Sequence, residues 1–197
     1  MGGLGESTST IDESIDITVN NERLSKGFWI WGQFNESSTR TLESAKKSVD
    51  EILNGPTFNV HLTLCGPFSH FDSSELKKLS NISKRFDPFK IYLEEVQTKE
   101  EFYQSLFIKI IEKEDLLELK NHIDSEFMMP KKNFFPHISL FYGKETEEKK
   151  VEAISKTINM NNSFVLDKIS LVDVNEEINS WTVCKTYSLF NLPRSPR

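Results

Sequence analysis

Apolar and polar positions alternate in a way that divides the chain into short strands and amphipathic helices. Phe28 to Phe34 reads as a strand with aromatics on both faces. A helix opening at Ser37 or Ser38 follows, with Leu42, Ala45, Val49, Ile52 and Leu53 on one face, and Gly55-Pro56 stops it. Phe58 to Cys65 is the next strand. Asp72-Ser73-Ser74-Glu75 has the form of a capping box for a helix carrying Leu76, Leu79, Ile82 and Phe86. Phe89 to Val96 is again a strand. The order then recurs: a strand from Phe102 to Ile111, a helix from Glu114 to Phe127, a strand from Phe134 to Tyr142, and a helix from Glu145 to Ile158. Phe164 to Val174 and Trp181 to Phe190 are two closing strands, joined by a polar turn around Glu176 to Asn179.

Strand, helix, strand, helix, strand thus occurs twice, with little residue identity between the copies. Two pseudo-symmetric lobes would bring the second strand of each copy together near a shared axis. Those two strands carry the polar exceptions in otherwise apolar runs. His61 falls 33 positions after Phe28, and His137 falls 35 after Phe102. Each histidine is followed two residues later by a hydroxyl, giving His61-Leu62-Thr63 and His137-Ile138-Ser139. Residues i and i+2 of a strand share a face. Each motif therefore presents an imidazole and a hydroxyl on one face, while Val60, Leu62, Leu64, Ile138 and Leu140 turn to a core.

Two imidazoles suit phosphodiester hydrolysis. One takes a proton from the attacking water and the other gives one to the leaving oxygen, both with a pKa near neutrality. Thr63 and Ser139 would donate to the non-bridging phosphate oxygens. The chemistry needs no metal and no cofactor. A single His-x-Ser/Thr is common by chance; the repeated layout lifts this pair above it.

Composition narrows the ligand. The net charge is -6, so a long nucleic acid, which draws on many phosphate contacts, fits poorly. The 197 residues suffice for one domain or two closely packed lobes. Residues 1–27 read as a weakly ordered arm, whose Ile11, Ile15, Ile17 and Val19 would otherwise dock as a strand; 28–192 is a single bilobal domain and 193–197 a loose tail. The two cysteines, Cys65 and Cys184, are expected to be buried, reduced thiols. No apolar run spans a bilayer and no secretory signal opens the chain, so a cytoplasmic monomer is expected, with no membrane partner.

Phe135-Pro136-His137-Ile138-Ser139-Leu140-Phe141-Tyr142 and Phe58-Asn59-Val60-His61-Leu62-Thr63-Leu64 resemble the paired motifs of the two-histidine (2H) phosphoesterase superfamily, and most of all its plant- and yeast-type cyclic nucleotide phosphodiesterases. The aromatic strand at Trp29-Ile30-Trp31 and the strand after Trp181 also fit. The resemblance covers Phe28 to Phe190. An N-terminal extension and few cysteines depart from the plant pattern. The resemblance implies an α+β, bilobal, pseudo-symmetric fold, with two antiparallel-sheet lobes and outer helices around a central groove. It implies opening of a nucleoside 2′,3′-cyclic phosphate, or of ADP-ribose 1″,2″-cyclic phosphate, to a phosphomonoester. His61 would protonate the leaving ribose oxygen, His137 would activate water, and Thr63 and Ser139 would bind phosphate. The partner would be a small cyclic-phosphate nucleotide. The alternatives are a 2′-5′ oligonucleotide or RNA end cut by the same chemistry, and a non-catalytic nucleotide-binding module.

Around the motifs, Tyr142, Trp29, Tyr103, Gln104 and Trp181 are candidate pocket residues, and Trp31 and Phe68 further stacking planes for a base. His70 reads as a surface or loop histidine and His122 as a solvated one. Lys131 and Lys132 would attract phosphate or form a solvated loop. Glu145 to Lys150 reads as a charged helix face.

Overall fold

The computed structural model describes residues 26–130, 133–157 and 160–190. The expectations for the N-terminal arm before Lys26, for Lys131 and Lys132, for Ile158 and for the tail lie outside these residues.

The described residues form seven strands and four α-helices. They are β1 (Phe28–Phe34), α1 (Glu36–Leu53), β2 (Leu62–Phe68), α2 (Ser73–Ser83), β3 (Phe89–Thr98), β4 (Leu106–Ile110), α3 (Glu114–Glu126), β5 (His137–Phe141), α4 (Glu147–Ser155), β6 (Ser163–Asp173) and β7 (Thr182–Ser188). All pairings are antiparallel, in the order β1-β2-β5-β4-β3-β6-β7, with β1 also paired to β6. One lobe is built on β2, β1, β6 and β7, the other on β5, β4 and β3. They join where β3 meets the start of β6 (Ile91 opposite Phe164) and where Leu62 faces Ile138.

The lobes are not the two halves of the chain. Each half sends its last strand across: β3 pairs with β4 of the second copy, and β6 pairs with β1 of the first. The helices cross too, with α1 packing on β5 and α3 on β2. Each motif strand is therefore backed by a helix from the other copy, which ties the two motifs into one core. Leu62, Leu106, Ile108, Ile138, Leu140 and Leu166 lie in that core with no exposure.

Local chemistry explains where elements start. α1 is capped by Asn35, whose side chain accepts from the Ser38 amide, so the expected start at Ser37 or Ser38 moves back. Its left-handed cap residue is Asn54, φ 51°, rather than Gly55. Gly55 serves close packing: a Cβ there would sit 2.5 Å from the Phe141 ring. The Asp72 capping box is formed, with Asp72 accepting from the Ser74 and Glu75 amides and Glu75 accepting from the Asp72 amide.

Three strands begin later than their apolar patterns suggest. β2 starts at Leu62, because Phe58 is drawn out to stack on Tyr142 (4.1 Å) under the Lys46 ammonium (4.2 Å). β4 starts at Leu106; Phe102–Gln104 is a 3-10 turn whose carbonyls are taken by Gly143 and Ser139. β5 starts at His137. The face from Glu145 to Lys150 is only partly solvated, since Lys150 is buried and donates to the Lys99 carbonyl (2.9 Å) while pairing with Glu147. Cys65 is buried as expected, but Cys184 is exposed on β7, a strand with one mostly open face. Among the described residues no helix is long and apolar enough to cross a membrane.

Candidate active site

The contact between lobes is centred on the motifs. Leu62 and Ile138, the middle residues of the two motifs, are the Cα partners that join β2 to β5. Extending that antiparallel register puts His61 across from Ser139 and His137 across from Thr63. Each histidine thus stands beside the other motif's hydroxyl residue.

Both rings are fixed in the same local way. His61 Nδ1 lies 2.6 Å from the Asn59 carbonyl and His137 Nδ1 lies 2.9 Å from the Phe135 carbonyl, in each case two residues earlier. A carbonyl only accepts, so each neutral ring carries its proton on Nδ1 and leaves the Nε2 lone pair for chemistry. The surroundings differ. His61 is 5% exposed and lies flat on the Trp31 indole, with ring centres 3.5 Å apart and planes 6° from parallel. Burial pushes its pKa down to about 4, against the help of the Asn59 carbonyl, and the nearby His137 pushes the same way. His137 is less enclosed and meets Phe107 edge-on at 5.4 Å. Burial lowers its pKa as well, the Phe135 carbonyl opposes this, and the Lys99 ammonium adds to the lowering, offset in part by the Glu101 carboxylate paired with that ammonium.

A groove of about 400 Å³ opens over the two histidines. Of the residues singled out from sequence, His61, His137, Thr63, Tyr142, Trp29, Trp31, Tyr103, Gln104 and Trp181 line it. Ser139 does not. It is 4% exposed and donates to the Tyr103 carbonyl at 3.3 Å. Tyr142 follows the end of β5, is buried, and stacks on Phe58. Gln104 sits in the 3-10 turn rather than on a strand, and its side chain accepts from Lys99 at 2.6 Å. Phe68 leaves the groove for a cluster with Phe71 and Phe127. His70 is exposed, beside Ser69. His122, expected to be solvated, is half-buried against Phe86.

Sequence reasoning missed Cys65, Lys120, Asp124, Asn133, Phe134 and Phe135 in the groove wall. Only Cys65 carried a signal, since it shares strand parity with His61 and Thr63. Gly66, next to it, is required: φ is +140° and a Cβ would sit 2.7 Å from the Trp29 ring. Among the described residues no group of three His, Cys, Asp or Glu side chains could hold a metal ion.

Two facing histidine motifs in a bilobal antiparallel α+β fold define a two-histidine phosphoesterase, and so an enzyme of the phosphodiesterase class. A family model described as the 2′-5′ RNA ligase superfamily matches residues 45–177, and the chain belongs to that superfamily. It is 25% identical over 175 residues to a cyclic phosphodiesterase of Arabidopsis thaliana, spanning 83% of this chain and 93% of that protein. Among solved structures the fold is similar to Escherichia coli LigT complexed with 3′-AMP, with a TM-score of 0.57 at 16% identity, covering 84% of this chain and 99% of that one. It is likewise similar to TT0787 of Thermus thermophilus, with a TM-score of 0.58 at 18% identity, covering 83% and 98%.

Proposed function

We propose that the protein hydrolyses a nucleoside 2′,3′-cyclic phosphate, or the related cyclic phosphate of ADP-ribose, to a phosphomonoester by two-histidine acid–base catalysis. The observation that carries this reading is the pair of imidazoles in one groove, each with Nδ1 pinned by a carbonyl and Nε2 left for proton transfer. The similarity to a cyclic phosphodiesterase and to a fold solved with 3′-AMP supports a nucleotide as the ligand.

The cyclic phosphate sits between the motifs, with the Thr63 hydroxyl on a non-bridging oxygen. Ser139 joins it after turning from the Tyr103 carbonyl. His137 takes the proton of the attacking water, since the Lys99 ammonium favours its neutral form. His61 protonates the leaving ribose oxygen. Burial keeps His61 neutral in the free protein, but a phosphate anion in the same groove favours the imidazolium, and the indole face of Trp31 supports it from behind. Acid–base assistance of this kind is worth about 10²–10⁴ in rate.

The test is turnover of 2′,3′-cyclic AMP by purified protein in EDTA, with 2′-5′ oligoadenylate and ADP-ribose cyclic phosphate alongside. Hydrolysis is expected in the wild type and a loss of about a hundredfold or more in His61→Ala and in His137→Ala. Full activity in either variant refutes the site. Activity abolished by EDTA refutes the mechanism. Binding without turnover of any substrate leaves a nucleotide-binding module.

A further inference from the structure

The groove has two ends of different chemistry, and the antiparallel register separates them. From Leu62 opposite Ile138, one direction leads back to Phe58 and on to Tyr142, stacked on each other, with Tyr103 and Trp181 beyond. The other direction leads forward to Cys65 on β2 and back through Phe135 to Asn133, and it ends against α3. There Lys120 and Asp124, one helical turn apart, form an ion pair. The Cys65 thiol donates to Asp124 Oδ1 at 3.6 Å, and Lys120 Nζ stands 5.5 Å from the centre of the Phe134 ring. The lysine and aspartate side chains are only 15% and 20% exposed. Among the described residues that line the groove they are the only Lys or Arg and the only carboxylate.

We propose that the Lys120–Asp124 pair reads the hydrogen-bonding edge of the substrate's nucleobase, and that the base it selects is guanine. This rests on the cyclic-nucleotide reading of the groove. The pair is close to neutral as a whole, so it offers little to a second phosphate. It does offer a pattern. The carboxylate presents two acceptor oxygens and the ammonium beside it presents donors, and a carboxylate has room for about four hydrogen bonds. The complement of acceptor, acceptor, donor is a ligand edge that runs donor, donor, acceptor. Guanine has that edge in its 2-amino group, N1–H and O6. Adenine offers an amine and a ring acceptor, cytosine one donor and two acceptors, uracil one donor between two acceptors. The thiol of Cys65, held neutral by a pKa pushed up to about 12, helps fix Asp124 for this role. Phe134 supplies a plane beside the base.

Guanosine and inosine 2′,3′-cyclic phosphates differ only in the 2-amino group. For the wild type kcat/KM is expected to favour guanosine by about tenfold or more, through KM, as the loss of a hydrogen bond to a charged group implies. Asp124→Asn, which replaces one acceptor by a donor, brings the ratio to about one. Calorimetric titration with guanosine and inosine 3′-monophosphates reads the same preference as a ratio of Kd values without turnover. A guanosine preference in binding, with no hydrolysis of any cyclic nucleotide, supports the base reading and sinks the hydrolytic one. Equal values for guanosine and inosine in the wild type, a preference for adenosine over guanosine, or a preference that survives Asp124→Asn overturns the proposal. Were Asp124→Asn to misfold, the wild-type comparison alone decides.

Discussion

Acid should destabilise this protein through His61. The folded pKa is about 4, while an unfolded histidine titrates near 6.5. Between those values the unfolded chain takes up a proton that the folded chain refuses, so falling pH favours unfolding. The contribution of the neutral buried ring is present in full above pH 6.5 and is lost progressively down to about pH 4. At roughly 1.4 kcal/mol per pH unit, holding the ring neutral from pH 6.5 down to about pH 4 amounts to about 3 kcal/mol. Domains of this size are stable by only about 5–15 kcal/mol, so the effect is large. Urea unfolding of the wild type and His61→Gln at pH 7.5 and pH 4.5 isolates it, because glutamine does not titrate and the other groups are common to both proteins. The variant is expected to be the less stable at pH 7.5, having lost the stack on Trp31. At pH 4.5 that gap should shrink, or reverse, by about 2–3 kcal/mol. A stability difference that stays constant between the two pH values would refute the claim that His61 is buried neutral.

Asp72→Ala removes the carboxylate that accepts from the Ser74 and Glu75 amides, leaving Glu75 on the amide of residue 72, and should cost about 1 kcal/mol in urea unfolding, with no change in turnover. Gly55→Ala drives a methyl group into the Phe141 ring at 2.5 Å and should cost about 1–3 kcal/mol, read by the same measurement. Trp31→Leu removes the indole under His61 along with much of a buried side chain; about 2–4 kcal/mol of stability should be lost. Turnover of 2′,3′-cyclic AMP should fall with it at a temperature where the variant remains folded.

The helices were legible because their information is local. The stripe Leu42, Ala45, Val49 and Leu53 and the Asp72 box sit within a few residues of what they organise. The strands were legible as apolar runs, but their starts were not, since those are fixed by distant partners. Nothing near Phe58 says that Tyr142 waits to stack on it, or near Tyr103 that Ser139 will take its carbonyl. The histidine motifs stood out because a polar pair inside an apolar strand needs a reason. Lys120 and Asp124 did not, because a Lys and an Asp four apart on a helix look like any solvated pair. Only the crossing of α3 onto β2, a matter of topology, brings them to the groove beside Cys65.

A symmetric plan here yields an asymmetric site. The two motifs share a tautomer, an i−2 carbonyl and a facing hydroxyl residue, so the repeat by itself makes the histidines interchangeable. Their neighbours differ in residue identity: β1 supplies Trp31 to His61, and its counterpart β4 supplies Phe107 edge-on to His137. β1 places Trp31 flat against His61, while Lys99, at the end of β3, pairs with Gln104 and stands over the Phe135 ring at 4.5 Å on the His137 side. An indole face favours a cation; a neighbouring ammonium opposes one. The exchange of β3 thus brings Lys99 to the His137 side, while β1, which stays beside β2, gives His61 its indole. An acid and a base need such unlike surroundings to act at the same pH.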